Sequence, residues 1–411
     1  MAKKTKGKFE FSKIGNLVSG ISEKTGILVE DNDSINKKEF IGTGIYILNA
    51  LFSRSILDGG ILNNRITAIA GPPGVGKSYI CYNVCRESQK KGYSIIYIDT
   101  EFSIELEDMA NYGIDVSPDK LQLVRSSAVE DLKIMLTQLL DELKKEKMSG
   151  SDIDKFLIVV DSVGQLASRK EIEDAKDGKE KADMTRAKAI KSLFRIINND
   201  LGYLKIPILA TNHTYETMDL FPQQVMSGGS GLMYSASTIV MLSKAKYKTG
   251  DEDKDLSIGQ SGIVVTAQSK KNRLAKPAKI KFEIDFTKGC NPYAYLEHFC
   301  TPENFDKVGV AKGKMEIDKE TGEEYFKPGG IRWYVRHLGK SIFSKQLYSS
   351  EVFTDEVLQA LEPIIKDYFS YNSYDEYEKL NVADNENGEL GSIDGYSEDD
   401  IEDIDGEDLF S

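Results

Sequence analysis

Histidine and cysteine are scarce in this sequence, and it contains no long apolar run. The chain of 411 residues has three histidines and four cysteines. None of the cysteines stands in C-x-x-C spacing, which argues for a reducing compartment and hence for the cytoplasm. No apolar segment approaches the ~20 residues that span a bilayer. The lysine-rich start, with Lys3, Lys4, Lys6 and Lys8, lacks the apolar stretch of a signal peptide. We therefore expect a cytoplasmic protein without a membrane anchor.

Two of the cysteines could still belong to a metal site. Cys81 and Cys85 are four residues apart in a segment with helical periodicity, so their thiols would share one face of a helix. A metal would need further ligands, and three histidines in the whole chain supply few. Buried thiols are the favoured interpretation.

The acidic charge is concentrated at one end of the chain. Residues 380–411 hold 12 of the 66 Asp and Glu residues and no Lys or Arg. The 54 acids that remain nearly balance the 53 bases. Such a block is typical of a disordered solubilising tail. It could also compete with nucleic acid for a basic surface of the same protein.

The strongest motif in the chain is a glycine-rich loop at residues 71–78. Its residues are Gly71, Pro72, Pro73, Gly74, Val75, Gly76, Lys77 and Ser78, which fit G-x-x-x-x-G-K-[ST]. A β-branched run precedes the loop and a helical pattern follows it. In that context the backbone N–H groups cradle phosphates, Lys77 reaches the β- and γ-phosphates, and the Ser78 hydroxyl ligates Mg²⁺. The alternative is a glycine-rich turn that binds nothing.

The pattern around this loop alternates between strands and helices, which predicts an α/β protein with a doubly wound, mostly parallel sheet. Antiparallel strands are expected at one edge. We expect strands at residues 65–70, 94–99, 121–125, 156–161, 206–210, 238–243, 263–268 and 279–285, and helices at 79–91, 129–147 and 184–199. Residues 213–231 are expected to form a long irregular loop, which inside a compact domain is usually functional.

The patterning weakens after about residue 300. Residues 329–344 mix four cationic or titratable side chains with Trp333, Tyr334 and Phe343. This combination suggests a small second domain whose basic and aromatic surface suits single-stranded nucleic acid. An amphipathic packing helix is the alternative, and it is the favoured one.

Two carboxylates stand at expected strand ends. Asp161 follows a fully apolar strand and could hold Mg²⁺ through water, close to Ser78. Glu101 follows the strand that ends at Asp99, at the edge of the sheet where ligands bind in such folds. It could orient the water that attacks a γ-phosphate, or it could be a helix-capping acid. The residues alone leave both interpretations of Glu101 open.

These motifs together resemble the core of the RecA family. The resemblance is carried by the phosphate loop, residues 98–101, residues 157–162 and residues 210–213 (Ala-Thr-Asn-His). Within the family the sequence is most similar to the UvsX recombinases of T4-type phages. That closer similarity lies in residues 161–170, 183–188, 191–195, 212–217, 228–231 and 233–236. The resemblance covers about residues 40–295.

The resemblance implies roles for particular residues of the nucleotide site. Residues 71–78 would bind ATP, Asp161 and Ser78 would hold Mg²⁺, and Glu101 would be the catalytic carboxylate with Lys77. His213 would sense the γ-phosphate, although a satisfied strand-end histidine is favoured by the residues alone, and the family pattern has glutamine here. Lys271 and Arg273 would reach the ATP of a neighbouring subunit. Without the resemblance, Lys271 and Arg273 are an ordinary solvated charge pair.

The resemblance also implies two DNA-binding loops, at residues 168–183 and 214–231. The candidate DNA contacts are Arg169, Lys170, Lys179, Lys181, Arg186, Thr214, Tyr215, Phe221, Gly228, Gly229 and Ser230. The expected division of the chain is a polymerisation segment (1–39), a RecA-like ATPase core (40–298), a small C-terminal domain (299–379) and the acidic tail (380–411).

The implied function is that of an ATP-dependent homologous recombinase. Such a protein forms a helical filament on single-stranded DNA, pairs it with homologous duplex DNA and exchanges strands. A single-strand-binding protein and a mediator or loader are possible partners, and the expected location is the cytoplasm, that of the infected bacterial host if the gene is a phage's. The alternatives are a ring helicase or motor ATPase on the same core, and a DNA-coating accessory protein that does not hydrolyse ATP.

Overall fold

The computed structural model describes residues 38–151, 153–178, 185–217, 224–246 and 262–371. Most of the expected polymerisation segment and all of the acidic tail lie outside these residues. So do three of the candidate DNA contacts, Lys179, Lys181 and Phe221. None of the helices within the described ranges is both long enough and apolar enough to cross a bilayer.

A ten-stranded sheet is the centre of the fold. The strands of the described chain are β1 (Phe40–Ile41), β2 (Ile61–Leu62), β3 (Ile66–Gly71), β4 (Ser94–Asp99), β5 (Leu121–Arg125), β6 (Phe156–Asp161), β7 (Ile208–Glu216), β8 (Gln224–Met226), β9 (Thr238–Lys246), β10 (Gly262–Asn272), β11 (Lys279–Asp285), β12 (Gly289–Cys290), β13 (Val310–Ile317), β14 (Glu324–Val335) and β15 (Lys340–Phe343). The order in the large sheet is β12-β11-β10-β9-β3-β7-β6-β4-β5, and β8 pairs with β7.

The mixed pairing of this sheet confirms the expected fold class. Strands β9, β3, β7, β6, β4 and β5 are parallel to one another. Strands β10, β11 and β12 continue the sheet with antiparallel pairing. The inner strands are apolar over most of their length because both faces are covered; all six residues of β3 are buried.

Helices cover both faces of the sheet. Within the described residues the helices are α1 (Tyr46–Ser53), α2 (Lys77–Lys90), α3 (Leu106–Asn111), α4 (Val129–Met148), α5 (Arg169–Lys176), α6 (Thr185–Leu204), α7 (Gly231–Ser235), α8 (Phe305–Val308) and α9 (Asp355–Tyr368). One hydrophobic cluster joins α4 and α6 to the sheet. A second cluster contains the apolar sides of α1 and α2.

The register of the parallel strands brings the predicted site residues to one edge. Gly71 pairs with His213 across β3 and β7, and Asp99 pairs with Asp161 across β4 and β6. Parallel strands end at the same edge, so the phosphate loop and the strand-end carboxylates converge there.

The C-terminal residues pack on the second hydrophobic cluster. Buried side chains of β13, β14, β15 and α9, such as Val310, Val335, Ile342 and Leu361, belong to the same cluster as α1 and α2. A boundary between residues 298 and 299 stays a prediction.

The favoured interpretation of residues 329–344 as an amphipathic helix was wrong. These residues form the second half of β14, a short turn and β15. Gly329 and Gly330 have positive φ angles of 108° and 80°, which a helix does not accept. The aromatic Trp333 instead pairs with Lys312 and Ile342 on neighbouring strands.

The expected loops contain more regular structure than the sequence indicated. Strand β7 continues to Glu216 and pairs with β8, so part of residues 213–231 is a hairpin. In the first loop, Ser168 caps α5: its hydroxyl accepts from Glu171 N at 3.0 Å, and the Glu171 side chain accepts from Ser168 N. This S-x-x-E capping box starts a helix that the loop assignment missed.

Candidate active site and nucleic-acid interface

The phosphate loop has the backbone conformation that its glycines permit. Gly74 and Gly76 have φ angles of 66° and 91°, which residues with a Cβ rarely adopt. A Cβ on Gly76 would also lie 2.6 Å from Ile284 Cδ1. The loop ends at the first turn of α2, whose N–H groups and partial positive charge favour an anion.

Lys77 is buried beside the loop that it belongs to. Its ammonium donates to Gly71 O at 2.9 Å and to Pro72 O at 3.1 Å. Burial lowers the pKa of Lys77, and the nearby carboxylates of Asp161 and Glu101 act in the opposite direction. An ammonium held by two neutral carbonyls can exchange them for stronger, charged acceptors.

Ser78 and Lys244 lie on the accessible side of the loop. Ser78 is exposed, so its hydroxyl is open to a ligand. Lys244, on β9, donates its ammonium to Pro73 O at 2.8 Å. The sequence did not indicate Lys244, because its position beside the loop depends on the pairing of β9 with β3.

Asp161 is a buried carboxylate held by two hydroxyl groups. Tyr97 Oη donates to Asp161 Oδ2 at 2.8 Å, and Thr211 Oγ1 donates to Oδ1 at 2.5 Å. The two donors come from β4 and β7, the strands on either side of β6, and hold the carboxylate in place. Each carboxylate oxygen retains a further lone pair, so Asp161 with Ser78 supplies the hard oxygen donors that suit Mg²⁺.

Glu101 faces His213 across the edge. His213 Nε2 lies 2.9 Å from Glu101 Oε1, and Ser162 Oγ donates to the same oxygen at 3.2 Å. Gln165 Nε2 lies 3.4 Å from His213 Nε2. Glu101 is not the N-cap of the next helix, since Glu105 occupies that position. The Glu101 side chain is 36% exposed.

Strand β7, which carries His213, is hydrogen-bonded to Ser227 of the second loop. Asn212 Nδ2 donates to Ser227 O, and Ser227 Oγ donates to Asn212 Oδ1, both at 2.9 Å. Ser227 N donates to His213 O at 2.9 Å. These contacts connect Ser227 of the second loop directly to Asn212 and His213.

The candidate DNA contacts of the first loop differ in their surroundings. Lys170 is exposed. Arg169 Nε donates to Asp131 Oδ1 at 3.0 Å, and this carboxylate raises the pKa of Arg169. Arg186 Nε donates to Leu166 O at 2.6 Å, so its guanidinium contacts the protein's own backbone.

The second loop combines exposed polar residues with glycines at close contacts. Tyr215 is 55% exposed, and Thr214 Oγ1 accepts from Gln224 Nε2 at 2.8 Å. Gly228 and Gly229 have φ angles of 80° and 78°. Ser230 is exposed and precedes α7.

The glycines of this loop lie against the helix that follows the first loop. A Cβ on Gly229 would lie 2.9 Å from Ala187 Cβ, and one on Gly231 would lie 2.6 Å from Lys191 Cα. Both contacts are too short for a side chain, so only glycine allows the second loop to lie so close to α6.

Lys271 and Arg273 lie near the amino-terminal ends of the parallel strands. The phosphate loop lies at the other end, after the carboxyl end of β3. Lys271 pairs with Ile239, which pairs with Ala68 near the start of β3. The Lys271 ammonium donates to Met233 O at 2.8 Å and to Tyr234 O at 3.0 Å. Arg273 is exposed. The structure does not bring this pair to the phosphate loop of the same chain.

Cys81 and Cys85 are fully buried free thiols on α2. Burial raises the pKa of both thiols. Neutral thiols in an apolar layer fit the interpretation of these residues as part of the core.

Several residues of the site were not indicated by the sequence. Tyr97, Thr211, Ser162 and Gln165 all contact Asp161, Glu101 or His213. A signal existed for Thr211, because a hydroxyl residue follows directly after the apolar residues of β7. Tyr97 lies within an apolar run and has the pattern of an ordinary core residue.

The geometry of the site first defines a class of protein. A phosphate loop, a strand-end aspartate and a strand-end glutamate on one edge of a mostly parallel sheet are typical of P-loop nucleotide-binding proteins. A family model described as the RecA N-terminal domain matches residues 22–291. This chain belongs to the RecA family.

Individual relatives extend the similarity over most of the chain. The "Recombination and repair protein" of Enterobacteria phage T4 is 30% identical over 337 residues, which are 80% of this chain and 80% of that protein. "Protein RecA" of Campylobacter hominis is 29% identical over 343 residues, 82% of this chain and 86% of that protein. The mitochondrial "DNA repair protein recA homolog 3" of Arabidopsis thaliana is 26% identical over 309 residues, 70% and 67% of the two chains.

Proposed function

We propose that this protein is an ATP-dependent homologous recombinase that assembles on single-stranded DNA, pairs it with a homologous duplex and exchanges strands. The observation that carries the proposal is the series of contacts that connects Glu101 in the nucleotide site to the second candidate DNA loop. His213 touches Glu101, and the residue before it, Asn212, is hydrogen-bonded to Ser227 at the base of the second loop. A nucleotide site joined in this way to a candidate DNA loop suits a DNA-dependent ATPase.

The residues of the nucleotide site have different roles in ATP hydrolysis. Mg²⁺, when bound, neutralises the charge that develops on the phosphates. Residues 71–78 bind and orient the phosphates, with the Lys77 ammonium leaving its two carbonyls for them. Ser78 and Asp161 would hold the metal. Glu101 orients and polarises the attacking water, and Ser162 and His213 fix the direction of its carboxylate.

DNA binding is assigned to the two loops. Cationic residues such as Lys170 would contact phosphates, which gives affinity without sequence preference. Exposed Tyr215 can stack on a base. Homology is then read by base pairing between the strands. We place this activity in the cytoplasm, with a single-strand-binding protein and a mediator or loader as accessory partners.

The catalytic site is completed by a second copy of the chain. By strand geometry, Lys271 Cα lies about 10 Å along the strands and about 10 Å across two strands from Gly71. Its ammonium donates to the carbonyls of Met233 and Tyr234 in α7. Lys271 and Arg273 can therefore serve a phosphate only on a neighbouring subunit, as head-to-tail assembly into a helical filament allows.

The proposal is tested by ATP hydrolysis and strand exchange with the purified full-length chain. Turnover should require single-stranded DNA, and a circular single strand should displace its homologue from a linear duplex. Lys77→Ala should abolish both activities. Glu101→Gln should bind ATP with nearly normal affinity and lose turnover, since only the carboxylate that orients water changes. Hydrolysis without any strand exchange, together with rings in electron micrographs, would instead indicate a helicase or motor.

A further inference from the structure

The first turn of α6 lies between the first loop, the second loop and the turn that follows β6. Thr185 Oγ1 lies 3.0 Å from Oγ of Ser168, which caps α5 in the first loop. Ala187 packs against Gly229 of the second loop. A Cβ added to Gly229 would lie only 2.9 Å from the Cβ of Ala187. Arg186 stands between these two residues, so one helical turn contacts both candidate DNA loops.

Arg186 connects this turn to the nucleotide side of the site. Its Nε donates to Leu166 O at 2.6 Å, and its Nη2 donates to Gly164 O. The guanidinium is a rigid, planar fork, so two donors on two carbonyls fix its position well. The side chain is partly buried and points at the turn that follows β6.

The turn that Arg186 holds is in contact with both catalytic candidates. Ser162 Oγ donates to Glu101 Oε1 at 3.2 Å, and Gln165 Nε2 lies 3.4 Å from His213 Nε2. Gly164 has no room for a side chain, because a Cβ there would lie 2.7 Å from Ser227 Oγ. A shift of this turn must therefore move the partners of Glu101 and His213.

We propose that Arg186 is a positioning residue that couples the two DNA loops to the Glu101–His213 pair, and that it does not bind a DNA phosphate. The inference rests on the proposed DNA-dependent ATPase. When DNA binds the loops, it shifts the first turn of α6, and the guanidinium fork transmits that shift to residues 164–166. Ser162 and Gln165 then set the Glu101 carboxylate for catalysis.

The test compares Arg186→Met with Lys170→Met in the full-length protein. Methionine keeps a long apolar stem and removes every donor. Binding of single-stranded DNA is measured by fluorescence anisotropy with a non-hydrolysable ATP analogue over a range of salt concentrations. ATP turnover is measured with no DNA and with DNA that saturates each variant.

For Arg186→Met we expect the stimulation of turnover by saturating DNA to fall about fivefold or more, the lower end of typical coupling between sites. DNA affinity and its salt slope should stay close to wild type. Lys170→Met should show the reverse: weaker binding, a salt slope smaller by about one, and full stimulation once DNA saturates. Arg186→Lys, which can reach one carbonyl, should lie between wild type and Arg186→Met, and it serves as the test if the methionine variant does not fold.

Two outcomes would overturn the inference. If Arg186→Met binds DNA weakly with a reduced salt slope and regains full stimulation at saturation, Arg186 is a phosphate contact. If neither DNA affinity nor the stimulation of turnover changes in Arg186→Met, the Arg186 guanidinium does not couple the DNA loops to Glu101 and His213. A wild-type protein without DNA-stimulated turnover would instead contradict the proposed function itself.

Discussion

Lys271 and Arg273 offer a sharp test of assembly, because the structure separates them from their own phosphate loop. The two strand offsets place Lys271 Cα about 14 Å from Gly71. Across such a distance in water two unit charges interact by about 0.3 kcal/mol, and salt screens this further. In contact at 4 Å near a protein surface the same interaction is about 4 kcal/mol. The double variant Lys271→Ala, Arg273→Ala should thus lose less than about twofold in turnover if the residues act within one chain, and more than about a hundredfold if they act on a neighbour.

The assay mixes two inactive proteins. Lys77→Ala subunits keep Lys271 and Arg273, and the double variant keeps its phosphate loop. At equal amounts, about a quarter of the head-to-tail interfaces in a random filament combine an intact loop with an intact pair. Turnover should therefore recover to about that fraction of the wild-type rate. Lys279→Ala, an exposed lysine on β11, is the control and should retain wild-type turnover.

Either form of the experiment can refute the assignment. A mixture that stays inactive although both variants bind DNA and form filaments would show that the pair does not complete a neighbour's site. Wild-type turnover per subunit that stays constant from well below to well above the concentration of filament formation would lead to the same conclusion.

Three further predictions concern the core, a loop contact and the tail. Tyr97→Phe removes a hydroxyl that donates to the buried carboxylate of Asp161 and should lower the free energy of unfolding by about 1.5–3 kcal/mol, measured by urea denaturation; an unchanged midpoint would contradict this. Gly231→Ala places a Cβ 2.6 Å from helix backbone and should cost about 1–3 kcal/mol in a calorimetric scan, whereas Gly202→Ala, with only a 3.6 Å contact, should cost nothing. Truncation after Leu380 removes 12 acidic residues and should tighten DNA binding, most of all for duplex, with a gain that shrinks as salt rises; superimposable salt titrations would reduce the tail to a solubilising appendage.

The sequence by itself determined the features that depend on neighbouring residues. The phosphate loop is contiguous, and its glycines, lysine and serine act through local backbone geometry, so residues 71–78 were recognisable before any fold was known. Apolar runs of about six residues ending in Asp99 and Asp161 marked buried parallel strands and their carboxyl ends. From these ends, the edge of the sheet that holds the candidate site followed directly.

Only the tertiary structure decided which side chains meet at that edge. Glu101 and His213 are 112 residues apart, and the two hydroxyl partners of Asp161 come from strands 64 and 50 residues away. No local pattern encodes such contacts, because they depend on strand order and register. The same holds for Arg186, whose charge suggested DNA but whose guanidinium faces the backbone of residues 164 and 166. Residues 329–344 became strands for the same reason: amphipathic spacing is ambiguous over short segments, and the partners on β13 settled the conformation.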